Sequence, residues 1–266
     1  MQQCFIEDEN GKLSYWRSEV FDKDNTLFFL HGLTANHTMF DEQLPYFEGL
    51  YNIITWDAPM HAESRDYKRL DMETTSNLIK RILEECNISS VILVGQSLGG
   101  YLAQAFIMRY PDMVKAFVSI DSSAYGYYYS KSDVWWIKQL DWMAKAYTEN
   151  ILKKSMANQN ALTEAGRANM MDMLKYYNKT ELINLMSQGY KAFFDDNRPF
   201  KINCPVVLLV GEKDKTGKVV SYNREWTRDT GYEMIIIPDA AHNSNVDNPK
   251  AVNYYIKEFL YKNDII

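Results

Sequence analysis

Val91-Ile92-Leu93-Val94-Gly95-Gln96-Ser97-Leu98-Gly99-Gly100 is the stretch from which the rest of the chain is read. An apolar run of strand length leads into Gly-x-Ser-x-Gly, and a helical pattern begins at once. A serine on so sharp a strand-to-helix turn is held at a strained backbone angle with its hydroxyl in open space, and the flanking glycines let neighbouring backbone pass close by. The helix start beneath it offers unpaired N–H groups to a developing negative charge. The five-residue pattern alone fits a tight turn equally well. Its place between a strand and a helix, with Gly100 behind it, makes Ser97 a candidate nucleophile.

Working outward, short apolar runs alternate with helix-length segments. Strands are expected at Thr26 to Leu30, Asn52 to Trp56, Val91 to Val94, Ala116 to Ile120, Val206 to Val210 and Glu233 to Ile237. Continuous apolar runs suit a parallel sheet covered on both faces. Before them, Cys4 to Glu7 and Leu13 to Arg17 flank Asn10-Gly11, a hairpin signal. Helices are expected over Glu73 to Cys86 with Asp71 as cap, over Leu98 to Tyr110, and after Asn248-Pro249. Between about Ser122 and Phe200 no convincing strand occurs, and helical patterns cover Val134 to Tyr147, Thr163 to Tyr177 and Thr180 to Phe194. The expectation is an α/β fold: a mostly parallel eight-stranded sheet with helices on both faces, residues 1–121 and 201–266 forming the core. Residues 122–200 form a helical cap over the carboxyl edge, where such sheets bind ligands.

A serine hydroxyl needs a base, and the chain has four histidines, His31, His37, His61 and His242. A lone histidine is most often a hydrogen-bonded structural ring. His242 is the candidate base because it lies in a loop at the carboxyl end of the last strand. The acid that orients it must also sit at a strand end. Asp214, in Gly211-Glu212-Lys213-Asp214, is favoured; Asp121, after Ile120, is its rival, and Glu212 lies too close to its strand end.

Composition narrows the rest. The 266 residues are 46% hydrophobic and 24% charged, with net charge −6, an ordinary globular profile. An acidic chain without a Lys/Arg-rich run argues against nucleic acid as a partner. Cys4, Cys86 and Cys204 are too few and too scattered for a disulfide framework or zinc. No phosphate-cradling glycine loop or His-Glu-x-x-His is present, so neither cofactor nor metal is expected. The amino terminus lacks a signal-peptide pattern and no apolar run could span a bilayer, so the expected location is cytoplasmic.

The motifs together resemble the α/β-hydrolase fold superfamily over nearly the whole chain, and within it serine carboxylesterases and lipases with a helical cap. The order Ser97, Asp214, His242 is the order used there. The resemblance implies that His31-Gly32 opens the oxyanion loop, with the backbone N–H groups of Leu33 and Leu98 as donors. Asp57-Ala58-Pro59-Met60-His61-Ala62-Glu63-Ser64 is similar to the superfamily's Asp-x-Pro-Gly-His-Gly-x-Ser loop, with Met60 and Ala62 in place of its glycines. Phe40 stands where a tryptophan is frequent, and Lys215-Thr216-Gly217 lacks the proline that often follows the acid. A serine at position 97 separates the chain from dehalogenases and epoxide hydrolases of this fold, which use aspartate.

The implied activity is hydrolysis of small-molecule carboxylic esters with small to medium hydrophobic acyl groups, through an acyl-enzyme. Two alternatives share these motifs. Carbon–carbon hydrolases and lyase-like relatives would need a basic cap residue facing a substrate carboxylate, for which Lys138, Lys145, Lys153, Lys154, Arg167 and Arg198 are candidates. A small-molecule receptor on the same scaffold would have no chemical need for the aligned triad. The cap's Tyr125, Tyr127, Tyr128, Tyr129, Trp135, Trp136 and Trp142, with Met170, Met171 and Met173, suit an apolar pocket or the buried face of the lid itself.

Overall fold

Each apolar run between residues 26 and 237 forms a strand in the computed structural model, which describes residues 1–124, 130–132, 135, 139, 144–194 and 200–265. The strands are β1 (Gln2–Asp8), β2 (Gly11–Arg17), β3 (Thr26–Leu30), β4 (Asn52–Trp56), β5 (Val91–Gln96), β6 (Val114–Ile120), β7 (Val206–Gly211) and β8 (Glu233–Ile237). They make one sheet in the order β1-β2-β4-β3-β5-β6-β7-β8. Only the β1–β2 and β2–β4 pairings are antiparallel. The turn between β1 and β2 differs from a simple Asn-Gly hairpin: Glu9 and Asn10 form it, Asn10 N–H donates to Asp8 Oδ1 at 2.8 Å, and only Gly11 takes a positive φ, of 131°.

Side chains alternate across the sheet, so both faces need cover. Phe28, Leu30, Ile54 and Leu93 pack under helices α1 (Met72–Glu85) and α2 (Leu98–Arg109), against Ile79, Ile82, Leu102 and Phe106. Leu27, Phe29, Ile53 and Ile92 face the other way, in one cluster with Phe40, Phe47 and the inner side of the C-terminal helix. Asp71 caps α1, its Oδ1 accepting from Thr74 N–H at 2.8 Å. Among the described residues no helix is long and apolar enough to cross a membrane.

The described part of segment 122–200 contains helices α3 (Glu149–Asn160), α4 (Glu164–Leu174) and α5 (Lys179–Phe194) and no strand. The helix expected over 134–147 falls mostly outside the described residues. The three helices rest on loops at the carboxyl ends of the strands. Tyr177 Oη accepts from Ala62 N–H at 2.9 Å, and Gly189 lets α5 close on the Leu33 side chain. Helix α3 carries only a weak apolar stripe, its inner residues being Leu152, Lys153 and Ala157, whereas α6 (Val219–Thr230) buries one face through Tyr222, Asn223 and Trp226. The last helix, α7 (Pro249–Lys262), starts on a proline behind the Asn248 cap.

Candidate active site

Ser97 lies between the end of β5 and the first residue of α2 with φ 49° and ψ −114°, a conformation that typically costs an L-residue about 1–3 kcal/mol. Surrounding structure enforces it. Ser97 N–H donates to Ile120 O at 2.9 Å, and Ser122 Oγ donates to the Ser97 carbonyl at 2.8 Å. A Cβ on Gly95 would come within 2.6 Å of Gly100 N, and one on Gly99 would collide with the Leu30 carbonyl. The turn is therefore closed to larger residues at these two positions.

The structure brings Ser97, His242 and Asp214 into one hydrogen-bonded line. His242 Nε2 is 2.9 Å from Ser97 Oγ, and His242 Nδ1 is 2.8 Å from Asp214 Oδ2. A carboxylate at Nδ1 keeps the proton there and leaves Nε2 free to accept from the serine. Burial works against an imidazolium, yet the Asp214 charge and hydrogen bond outweigh it, so the His242 pKa is raised above its ordinary value. Asp214 is itself held, its Oδ1 accepting from Thr216 N–H at 2.7 Å. Asp121, the rival acid, makes no bond to the ring. Its oxygens accept from Gly211 N–H at 2.7 Å and Ser244 N–H at 2.9 Å, joining the acid-bearing and histidine-bearing loops. Burial and the neighbouring Asp214 charge push its pKa up to about 8.

The loop after β3 runs beside Ser97, and a side chain on Gly32 would overlap Gln96 Oε1. Among the described residues neither Leu33 N–H nor Leu98 N–H is donated to another protein group. Two buried rings brace this loop. His31 Nε2 accepts from Ala58 N–H at 2.9 Å and His61 Nε2 accepts from Thr34 N–H at 3.1 Å. Their Nδ1–H groups donate to the Gly32 and Pro59 carbonyls. Both rings are thus neutral, and burial lowers their pKa values to about 4 and about 3. His37 stacks on Trp16 and bonds Asp57 at 2.8 Å. Burial raises the Asp57 pKa, but the His37 bond and charge prevail and leave it lowered. Met60 and Ala62 keep the left-handed conformation of glycine, with φ 69° and 38°.

A cavity of about 120 Å³ opens onto Ser97 and His242. Met39, Met156, Met170, Met186 and Phe193 line its apolar side, and Asn160, Thr216 and Asn243 its polar side. No Lys, Arg, Asp or Glu is among the described lining residues. Of the basic candidates in segment 122–200, Lys145 and Lys154 are exposed, and Lys153 binds Glu149 and the Tyr177 carbonyl. Arg167 binds the Leu162 carbonyl, while Lys138 and Arg198 lie outside the described residues. So do Tyr125, Tyr127, Tyr128, Tyr129, Trp136 and Trp142; Trp135 is 55% exposed, and Met170 is the one named cap methionine on the cavity. Sequence reasoning missed Thr216, Asn160 and Asn243 as lining residues; only the closeness of Thr216 to Asp214 and of Asn243 to His242 hinted at two of them.

A central, mostly parallel sheet with a strained serine after β5, a carboxylate after β7 and a histidine after β8 defines a class of α/β protein. The model of the family described as alpha/beta hydrolase fold matches residues 25–249, and the chain belongs to that family. It is 28% identical over 252 residues, 87% of this chain and 88% of the relative, to a Bacillus subtilis protein provisionally named 2-succinyl-6-hydroxy-2,4-cyclohexadiene-1-carboxylate synthase. It is 24% identical over 269 residues, 96% and 93% of the two chains, to a 2-hydroxy-6-oxononadienedioate/2-hydroxy-6-oxononatrienedioate hydrolase of Escherichia coli K12. An esterase of Exiguobacterium antarcticum superposes with a TM-score of 0.81 at 15% identity, covering 98% of this chain and all of the other.

Proposed function

We propose that the protein is a serine hydrolase of small, uncharged carboxylic esters. The observation that carries this reading is the unbroken line Ser97 Oγ, His242 Nε2, His242 Nδ1, Asp214 Oδ2, with both links under 3 Å. Ser97 Oγ attacks the ester carbonyl as His242 Nε2 takes its proton, and Asp214 stabilises the imidazolium. Leu33 and Leu98 N–H groups receive the oxyanion, a stabilisation typically worth about 3–4 kcal/mol per donor. His242 returns the proton to the leaving alcohol, and water releases the acid from the acyl-enzyme by the same route in reverse. Residues 122–200 act as the cap that limits what reaches the serine.

The small Met-lined cavity favours short acyl chains, since ordinary ligand clefts run to about 300–1,000 Å³. The names of two relatives favour a second reading, cleavage or elimination on a carboxylate-bearing substrate. The absence of a cation among the described lining residues supports the ester instead. Hydrolysis of p-nitrophenyl esters from acetate to decanoate, by wild type and Ser97→Ala, tests the choice. We expect turnover highest at the short end and a loss on the order of 10³-fold or more in the variant. Undiminished activity in Ser97→Ala would refute the nucleophile. Inert esters with Ser97 still labelled by a fluorophosphonate would favour the carboxylate-bearing substrate.

A further inference from the structure

The three chain segments that carry Ser97, Asp214 and His242 all fasten to the carboxyl end of β6. Ser97 N–H donates to Ile120 O at 2.9 Å, and Ser122 Oγ donates to Ser97 O at 2.8 Å. Between these two contacts stands Asp121, fully buried, with a left-handed φ of 47°. Its Oδ1 accepts from Gly211 N–H at 2.7 Å, three residues before Asp214, and its Oδ2 accepts from Ser244 N–H at 2.9 Å, two residues after His242. The backbone around it is anchored as well. Asp121 N–H donates to Leu209 O at 2.8 Å, and Asn223 Nδ2 on α6 donates to Ser122 O at 2.5 Å. Asp121 is not among the residues that line the cavity, so its part is played away from the substrate.

A carboxyl group in such a place is costly. Among the described residues it has no Lys or Arg partner; the charged groups that face it are Asp214, which repels it, and His242. Its compensation is the pair of backbone N–H groups, one from each loop. An apolar residue would satisfy packing alone. Two converging N–H groups need an acceptor oxygen each, which a carboxyl has and a carboxamide lacks. Other bonds hold His242 from its amino-terminal side: Lys213 N–H donates to Ala240 O at 2.8 Å, and Gln96 Nε2 donates to His242 O at 2.7 Å. Asp121 relates the chain just beyond His242 to the strand that leads to Asp214. We propose that Asp121 is a positioning residue, its two oxygens fixing the spacing of the acid and histidine loops so that Asp214 and His242 stay within hydrogen-bonding reach. The proposal rests on the serine-hydrolase reading and names what keeps that site in register.

Asp121→Asn and Asp121→Ala test it, each assayed on p-nitrophenyl acetate and by proton NMR of the low-field signal from His242 Nδ1–H on Asp214. The amide turns an N–H toward one of the two backbone N–H groups, and alanine leaves both without an acceptor. In both variants kcat should fall about 10- to 100-fold with KM close to wild type, since the spacing of reacting groups changes and the cavity does not. The low-field signal should move upfield or broaden, and near-UV circular dichroism should remain that of the wild type. A kcat within about twofold of wild type in either folded variant overturns the positioning role. A raised KM at unchanged kcat overturns it as well, and so does a lower kcat with the low-field signal unmoved. Loss of the near-UV signal in both variants assigns Asp121 to the fold as a whole and likewise overturns the role. Should wild type leave every p-nitrophenyl ester from acetate to decanoate intact, the esterase reading falls, and the proton signal alone decides the role of Asp121.

Discussion

Ser97, Met60 and Ala62 all carry positive φ, but for different reasons. At Ser97 the strain aims a hydroxyl, whereas at Met60 and Ala62 it is inherited by side chains standing where related chains have glycine. Left-handed backbone costs an L-residue roughly 1–2 kcal/mol, partly offset by glycine's greater freedom when unfolded. Ala62→Gly should therefore stabilise the protein by about 1 kcal/mol, read as a higher urea midpoint at unchanged slope; a lower midpoint would show that the Ala62 methyl contributes more than its backbone costs. The departure from glycine was legible in the sequence, but not that the loop would keep its shape. That shape is held by Tyr177 on Ala62 N–H and by His61 on Thr34 N–H, contacts made across long sequence separations.

His242 supplies a second prediction at this scale. Under the proposed mechanism its ring must be neutral to accept the serine proton, and Asp214 holds its pKa above the ordinary value of 6.5. The acid limb of the kcat/KM profile should accordingly fall at a pH above 6.5. In Asp214→Asn the limb should move down while kcat drops on the order of 10³–10⁴-fold. An unmoved limb in the variant would detach the acid from the base.

At the scale of elements, the histidine loop is tied to the turn between α3 and α4 by one carboxylate. Asp247 Oδ1 accepts from Thr163 N–H and Oγ at 2.8 and 2.7 Å, and Oδ2 accepts from Leu162 N–H and Ala241 N–H at 2.8 and 2.9 Å. Asn243 N–H adds a bond to Asn160 O at 2.8 Å. Asp247→Ala strands four donors and should destabilise the fold by about 2–4 kcal/mol in urea unfolding; a loss under about 0.5 kcal/mol would mean that solvent replaces the carboxylate without penalty. None of this was visible in sequence, because an aspartate five residues after His242 carries no periodic mark. The strands were legible because burial on both faces writes a continuous apolar run. Helix α3 was not, since the buried Lys153 interrupts its stripe, and α6 went unread although Tyr222 and Trp226 share one face with Asn223.

For the whole molecule, the response to acid sets the two bracing histidines against Asp121, whose raised pKa favours the folded state as pH falls. A buried ring with a lowered pKa binds its proton more weakly folded than unfolded, so its contribution is present above 6.5 and is lost as pH falls toward the folded value. With folded values of about 4 for His31 and about 3 for His61, the pair's own share is a loss of about 4 kcal/mol between pH 7.5 and 5, which protonation of Asp121 opposes. Proton NMR of the two rings would check the cause directly, both remaining neutral at pH 5 in the folded state. If either ring titrates near 6.5 in the native protein, the bracing does not govern acid sensitivity. The candidate triad itself was readable as three residue types at three strand ends, because parallel topology delivers all carboxyl ends to one edge.

The order of the sheet also bears on how the protein is made. Ser97 follows a strand whose two neighbours, β3 and β6, come from the first 120 residues, whereas Asp214 and His242 arrive with β7 and β8 on the far side of the helical insertion. During synthesis the serine, its turn and its helix can assemble long before either partner has left the ribosome. A nascent chain therefore carries Ser97 without its hydrogen-bonded partners until β7, β8 and the loop after β8 have joined the sheet, and only then can the line Ser97, His242, Asp214 close.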